Sequence, residues 1–288
     1  MRWKDLRRSE NVRDVRGAGG FGGGRMPLPI GRRGGLGGGV GLLVILGLMF
    51  ILGGPDAVLN LLSGGGGAPS SDQGRPLTAN DEVSDFVARV LGSTEDVWGS
   101  LFEQRGERYQ PPLLNVFDGS VQSACGFASS ASGPFYCPRD QEVYLDTSFF
   151  DELARMGGPG DFAAAYVIGH EVGHHVQTLT GTSNQVRAAQ QRANDAGANR
   201  LQVAMELQAD CFAGVWAYHA NQTLRVLEPG DVEEGLAAAQ AIGDDRLQRN
   251  AGRAVTPDSF THGSSADRQR WLSTGLRTGD PGACDTFK

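Results

Sequence analysis

Cysteine is scarce in this chain of 288 residues: there are four, and no two are spaced C-x-x-C. Metal centres built on thiolates need such close pairs, so this scarcity argues against one. Histidine is also scarce, with five, so the position of each one matters. No internal repeat is evident, which argues against a stacked-repeat architecture. Long hydrophobic runs are also missing, with one exception at residues 34–54, which carry no charge over 21 positions.

That exception divides the chain. Residues 1–33 hold nine Lys/Arg against Asp5, Glu10 and Asp14, a balance of +6. The whole chain has a net charge of −7, so the remainder carries −13. Such asymmetry suits two different environments. A stretch of about 20 apolar residues is long enough for a bilayer core. We therefore expect residues 1–33 to be a basic, Gly-rich cytoplasmic tail without order, and 34–54 to be a transmembrane helix. Residues 55–79, rich in Gly and Ser, read as a flexible linker, and 80–288 as the globular domain. The positive flank predicts a single pass with the N-terminus inside and the domain outside the cytoplasm. Basic residues beside a span serve topology and anionic lipid rather than nucleic acid, so no nucleic-acid partner is expected.

The densest chemistry lies in Tyr166-Val-Ile-Gly-His-Glu-Val-Gly-His-His175. His170 and His174 are four apart, and on a helix such positions share a face, so two imidazoles can close on one metal ion beside Glu171. Zinc hydrolysis asks for this set: neutral nitrogen ligands, an open position for water, and a carboxylate near enough to take its proton. Ile168, Val172, His175 and Leu179 form a separate stripe, so this helix should be buried on one wall. His175 then reads as a core residue, and Gly169 and Gly173 suggest close approach by another backbone. A second helix carries Glu206 and Asp210, again four apart, with Ala213 and Ala217 on the same stripe. Glu206 is the candidate third metal ligand. Asp210 is placed to accept a hydrogen bond from the far nitrogen of a metal-binding histidine.

Elsewhere, residues 80–91 and 94–107 read as two helices, followed by short extended runs between 113 and 145. Residues 183–197 suggest a surface helix or excursion, and 231–247 and 264–276 two more helices. Four cysteines allow three pairings. Cys125–Cys137 would close a local strand-loop-strand unit, leaving Cys211–Cys284 to tie the tail to the second ligand helix.

H-E-x-x-H followed by E-x-x-x-D resembles the gluzincin pattern. Further matches at Ala124-Cys-Gly126, Gly133-Pro-Phe-Tyr-Cys-Pro138, Val143-Tyr-Leu-Asp146, Glu206-Leu-Gln-Ala-Asp-Cys211 and Thr261-His-Gly263 resemble a family of bacterial, membrane-anchored neutral zinc metallopeptidases. The resemblance implies an α+β, mostly helical zincin-like domain, with a small antiparallel sheet before the active-site helix. It implies Zn²⁺ as cofactor, peptide or protein as substrate, and the cytoplasmic membrane of a bacterium as location. Zinc would be held by His170, His174 and Glu206, with Glu171 as general base. His262, a downstream histidine in a loop, is the candidate second electrophile, and Val143–Leu145 the candidate edge strand for the substrate. Arg268 and Arg270, beside Trp271, are candidates to bind a substrate carboxylate or to reach the neighbourhood of Asp210, but read better as surface residues. The competing class is a membrane-anchored binding protein whose zinc site is structural or idle; the intact Glu171 favours the enzyme.

Overall fold

Among the described residues, the fold combines eight α-helices with a five-stranded sheet, and the paired motifs fall on two long, largely buried helices. The computed structural model describes residues 1–16, 75–76 and 81–288, and all of these belong to a single contact unit. The expected span at 34–54 and linker at 55–79 lie outside the described residues, apart from the two-residue strand noted below. Among those that are described, no helix is long and apolar enough to cross a membrane.

The first helix, α1, runs Glu82–Glu103, with Asp81 accepting the Val83 amide as its cap. It is one helix where the sequence suggested two. Gly92, Ser93 and Thr94 look like a break, yet Gly92 has a packing reason to be there: a Cβ would collide with the Arg7 carbonyl oxygen. The N-terminal segment crosses the helix at this point, with the Ser9 amide bonded to the Ala88 carbonyl and Leu6 fully buried.

This corrects the expectation of a disordered basic tail for the first sixteen residues. After crossing α1 they form strand β1 (Val12–Asp14), which lies between β2 (Arg75–Pro76) and β3 (Leu113–Phe117). The basic residues there are neutralised locally: Arg16 pairs with Asp14 and Asp81, and Arg7 with Glu95 and Asp96.

Strand β4 (Ser120–Ser123) and strand β5 (Gly126–Ser129) form a separate hairpin. Beyond them, β6 (Phe135–Cys137) and β7 (Glu142–Asp146) complete the sheet in the order β2-β1-β3-β7-β6. The sheet is mixed, not antiparallel: β1–β3 and β3–β7 are parallel, and β6–β7 is antiparallel. Parallel neighbours need long connections, and both pairs have them. The candidate edge, Val143–Leu145, lies inside the sheet between β3 and β6. Its continuous apolar burial fits a central strand, and among the described residues the edge beside it is Phe135–Cys137, with β2 at the opposite end of the sheet.

Helix α2 (Ser148–Met156) leads into α3 (Asp161–Leu179), the H-E-x-x-H helix, which is buried along nearly its whole length. After the short α4 (Thr182–Gln190) comes α5 (Asp195–Leu224), which carries Glu206 and Asp210. The two long helices approach closely at Gly173, where a Cβ would lie 3.0 Å from the Ala209 Cα. The close backbone expected from the glycines is therefore present. Residues 231–247 divide at Gly243 into α6 (Asp231–Ala241) and α7 (Asp244–Asn250), and α8 (Ser265–Thr278) packs along α5. Both expected disulfides form, Cys125–Cys137 and Cys211–Cys284.

Candidate metal centre

The four-residue spacing on α3 brings His170 and His174 onto one face, with ring centroids 4.8 Å apart. Across the α3–α5 contact, Glu206 Oε2 lies 3.2 Å from His170 Nε2 and 3.4 Å from His174 Nε2. One ligand atom from each of the three residues therefore falls within a 4.8 Å cluster. Two imidazole nitrogens and one carboxylate oxygen converging this way match a zinc donor set of catalytic type, three protein ligands with a further position open. The Asp161, Asp231 and Glu234 carboxylates also cluster, but the Met1 ammonium sits among them, 2.6 Å from Asp161 and 3.2 Å from Asp231.

Each histidine is oriented through its other nitrogen. His170 Nδ1 lies 2.8 Å from Asp210 Oδ1, so its N–H donates there and Nε2 is left to face the ligand cluster. Asp210 has no exposure and is held by Arg268, whose Nε donates to Oδ2 and Nη2 to Oδ1, both at 2.8 Å. Tyr166 donates to the same Oδ1 at 2.6 Å. Burial alone would raise the Asp210 carboxyl, but Arg268 and His170 outweigh it and hold it down at about 2. Such a bidentate pair is geometrically specific as well as strong. Arg268 is thus a correction to the preferred surface reading and takes the alternative: the structure buries it against Asp210.

His174 is held differently, by Gln177 Oε1 at 2.9 Å from its Nδ1. Sequence reasoning missed Gln177; its signal was an amide three positions after His174 on the same helix. His175 is a core residue as expected. Gln110 O accepts from its Nε2 at 2.7 Å, so its Nδ1 accepts the Tyr136 hydroxyl at 3.2 Å, and burial lowers its pKa.

Glu171 points into the same space, and among the described residues no side chain hydrogen-bonds its carboxylate. Burial raises its pKa against the opposing pull of His170 and His174. Glu206 behaves oppositely: burial favours its neutral form, yet His174 and His170 hold it well below the ordinary glutamate value. For His170 the burial penalty is overcome by Asp210 and Glu206, which raise it to about 10.

The cavity over these residues measures about 610 Å³. It is lined by the three ligand candidates and Glu171, by Phe135 and Tyr136 of the free sheet edge, and by His262. The His262 loop is fixed by Asp244, whose Oδ2 accepts the backbone amides of Thr261, His262 and Gly263 at 2.7, 2.6 and 3.0 Å. Asp244 Oδ1 lies 3.3 Å from His262 Nδ1, while the imidazole stays half-exposed at the cavity wall. The three ligand candidates, Glu171 and His262 therefore meet at one cavity, with Asp210 directly behind His170, whereas Val143–Leu145 does not line it.

Comparison with known proteins agrees with this geometry. A family profile described as "Putative neutral zinc metallopeptidase" matches residues 1–287. The uncharacterized protein YpfJ of Escherichia coli K12 is 47% identical over 292 aligned residues, covering 100% of this chain and 99% of that protein. The uncharacterized protein Mb2605 of Mycobacterium bovis is 42% identical over 234, covering 76% of this chain and 77% of that protein. No solved structure matches the chain.

Proposed function

We propose, from the premise that this chain belongs to the neutral zinc metallopeptidase family, that it hydrolyses peptide bonds with a zinc ion held by His170, His174 and Glu206. The observation that carries this reading is the convergence of those three ligands in one cavity with the buried Glu171, whose carboxylate has no hydrogen-bond partner among the described residues. A bound zinc ion supplies Lewis-acid polarisation and brings the pKa of a coordinated water towards neutrality. The rest falls to this chain's side chains. Glu171, with its pKa raised by burial, takes the proton of the attacking water and passes it to the leaving amine. His262, held by Asp244, donates a hydrogen bond to the carbonyl oxygen as negative charge develops on it. The unpaired edge of Phe135–Cys137 aligns an extended substrate backbone along the cavity.

The two disulfides support a site of action in an oxidising compartment, outside the cytoplasm. Residues 1–16 then share that compartment, because β1 is hydrogen-bonded into the same sheet.

The test compares full-chain wild type with Glu171→Gln for cleavage of casein, an unstructured protein, while bound zinc is measured in both. We expect zinc in both and cleavage in wild type alone. Zinc without cleavage in either would overturn the peptidase reading in favour of a binding protein with an idle site.

A further inference from the structure

We propose that Gln177 and Gln208 are positioning residues that couple the metal-binding nitrogen of His174 to the docking of the C-terminal tail. The inference rests on reading His174 as a ligand and extends it to what sets that ligand's tautomer. Neither glutamine touches the cavity's reacting atoms; they act through His174.

The hydrogen-bond directions are fixed from one end. The Cys284 carbonyl, anchored by the Cys211–Cys284 disulfide, can only accept, and it accepts from Gln208 Nε2 at 3.0 Å. Gln208 must therefore turn its Oε1 the other way, where it accepts from Gln177 Nε2 at 3.0 Å. The Met205 carbonyl, 2.8 Å from the same Nε2, imposes the same orientation. Gln177 then has only its Oε1 left for His174, so the proton sits on His174 Nδ1 and the bond runs from imidazole to amide at 2.9 Å. The unprotonated Nε2 is thereby directed at the Glu206 carboxylate and the ligand cluster.

Both amides are buried, Gln177 completely, so water is not at hand to replace a lost partner. Because every link has a determined donor and acceptor, the chain of bonds transmits an orientation and not merely a contact. It also ties the tail disulfide to the orientation of His174. Outer partners of metal-binding histidines change metal affinity by about 10- to 100-fold when removed. Gln208 should matter less than Gln177, because the Met205 carbonyl still holds Gln177 in its absence.

The experiment measures the zinc dissociation constant of the full-chain protein by competition with a chromogenic chelator, alongside its thermal midpoint. Gln177→Met should weaken zinc binding by about ten-fold or more, and Gln208→Met by a smaller factor. Gln177→Glu is the discriminating variant: its carboxylate still accepts the His174 Nδ1–H while facing the Met205 carbonyl unfavourably. It should keep zinc affinity and lose thermal stability. Wild-type affinity in a folded Gln177→Met would overturn the proposal, as would Gln177→Glu losing affinity in step with its stability. Should Gln177→Met fail to fold, unchanged affinity in Gln208→Met overturns the coupling to the tail. The affinity pattern without hydrolysis would sink the peptidase reading and leave this one standing. Hydrolysis with flat affinities would do the reverse, and a wild type that binds no zinc overturns both.

Discussion

The two histidines of the metal centre are one turn apart on the same helix, yet their supports are built from opposite materials. His170 leans on a charged, fully buried group of Asp210, Arg268 and Tyr166 contributed by three helices. His174 leans on neutral amides that end at a backbone carbonyl of the tail. A buried charged pair is costly to break, because removing one partner strands the other charge in a low-dielectric interior. A neutral relay costs less to interrupt but is more sensitive to direction, since each amide has one correct orientation. One support therefore contributes mainly to stability, and the other mainly to the precision of the site.

The largest expected effect comes from breaking the charged side. Arg268→Leu strips the buried Asp210 carboxylate of its guanidinium, leaving it only Tyr166 and His170, and should destabilise the fold by about 3–5 kcal/mol, read by urea unfolding monitored by circular dichroism. If Arg268→Leu unfolds like wild type, Arg268 is not the structural counter-ion described here.

A second contrast, between the N-terminal segment and the domain it docks on, can be tested by sign. In an open helix Gly92→Ala would stabilise by about 1 kcal/mol. With the Arg7 carbonyl packed against Gly92, the added methyl overpacks the contact and should instead destabilise by about 1–3 kcal/mol. A rise in thermal midpoint would mean that residues 1–16 do not occupy this site in solution.

The smallest effect concerns the His262 loop. Burial alone would raise the Asp244 carboxyl, but the hydrogen bonds from His262 and its neighbours hold it below the ordinary value. A carboxyl depressed in the folded state adds stability above the unfolded value of about 3.9 and loses it as pH falls through the folded value. The thermal-midpoint gap between wild type and Asp244→Ala should therefore hold steady above about pH 5 and close below about pH 4. A gap that does not change with pH would show that charge at Asp244 is not what fixes the loop.

How legible all this was in the sequence follows from how local each signal is. His170, Glu171 and His174, and likewise Glu206 and Asp210, are pairs at helical spacing, and such spacing alone places them on shared faces. The disulfides were legible because few pairings exist. Arg268 was not, since its burial depends on a partner 58 positions away that neutralises it. Strand β1 has three residues, too few to show alternation, and its basic flanks imitated a solvated tail. The sheet order was hidden for the same reason, and Val143–Leu145 could be recognised as central only once β3 and β6 were in place beside it.

The most direct test of the central claim is the metal content of the full-chain protein, by elemental analysis, for wild type and for Glu206→Ala. The account predicts one zinc per chain in wild type and none retained after dialysis in Glu206→Ala, with both proteins folded. A folded wild type that carries no zinc, or a Glu206→Ala variant that keeps its full complement, would contradict it.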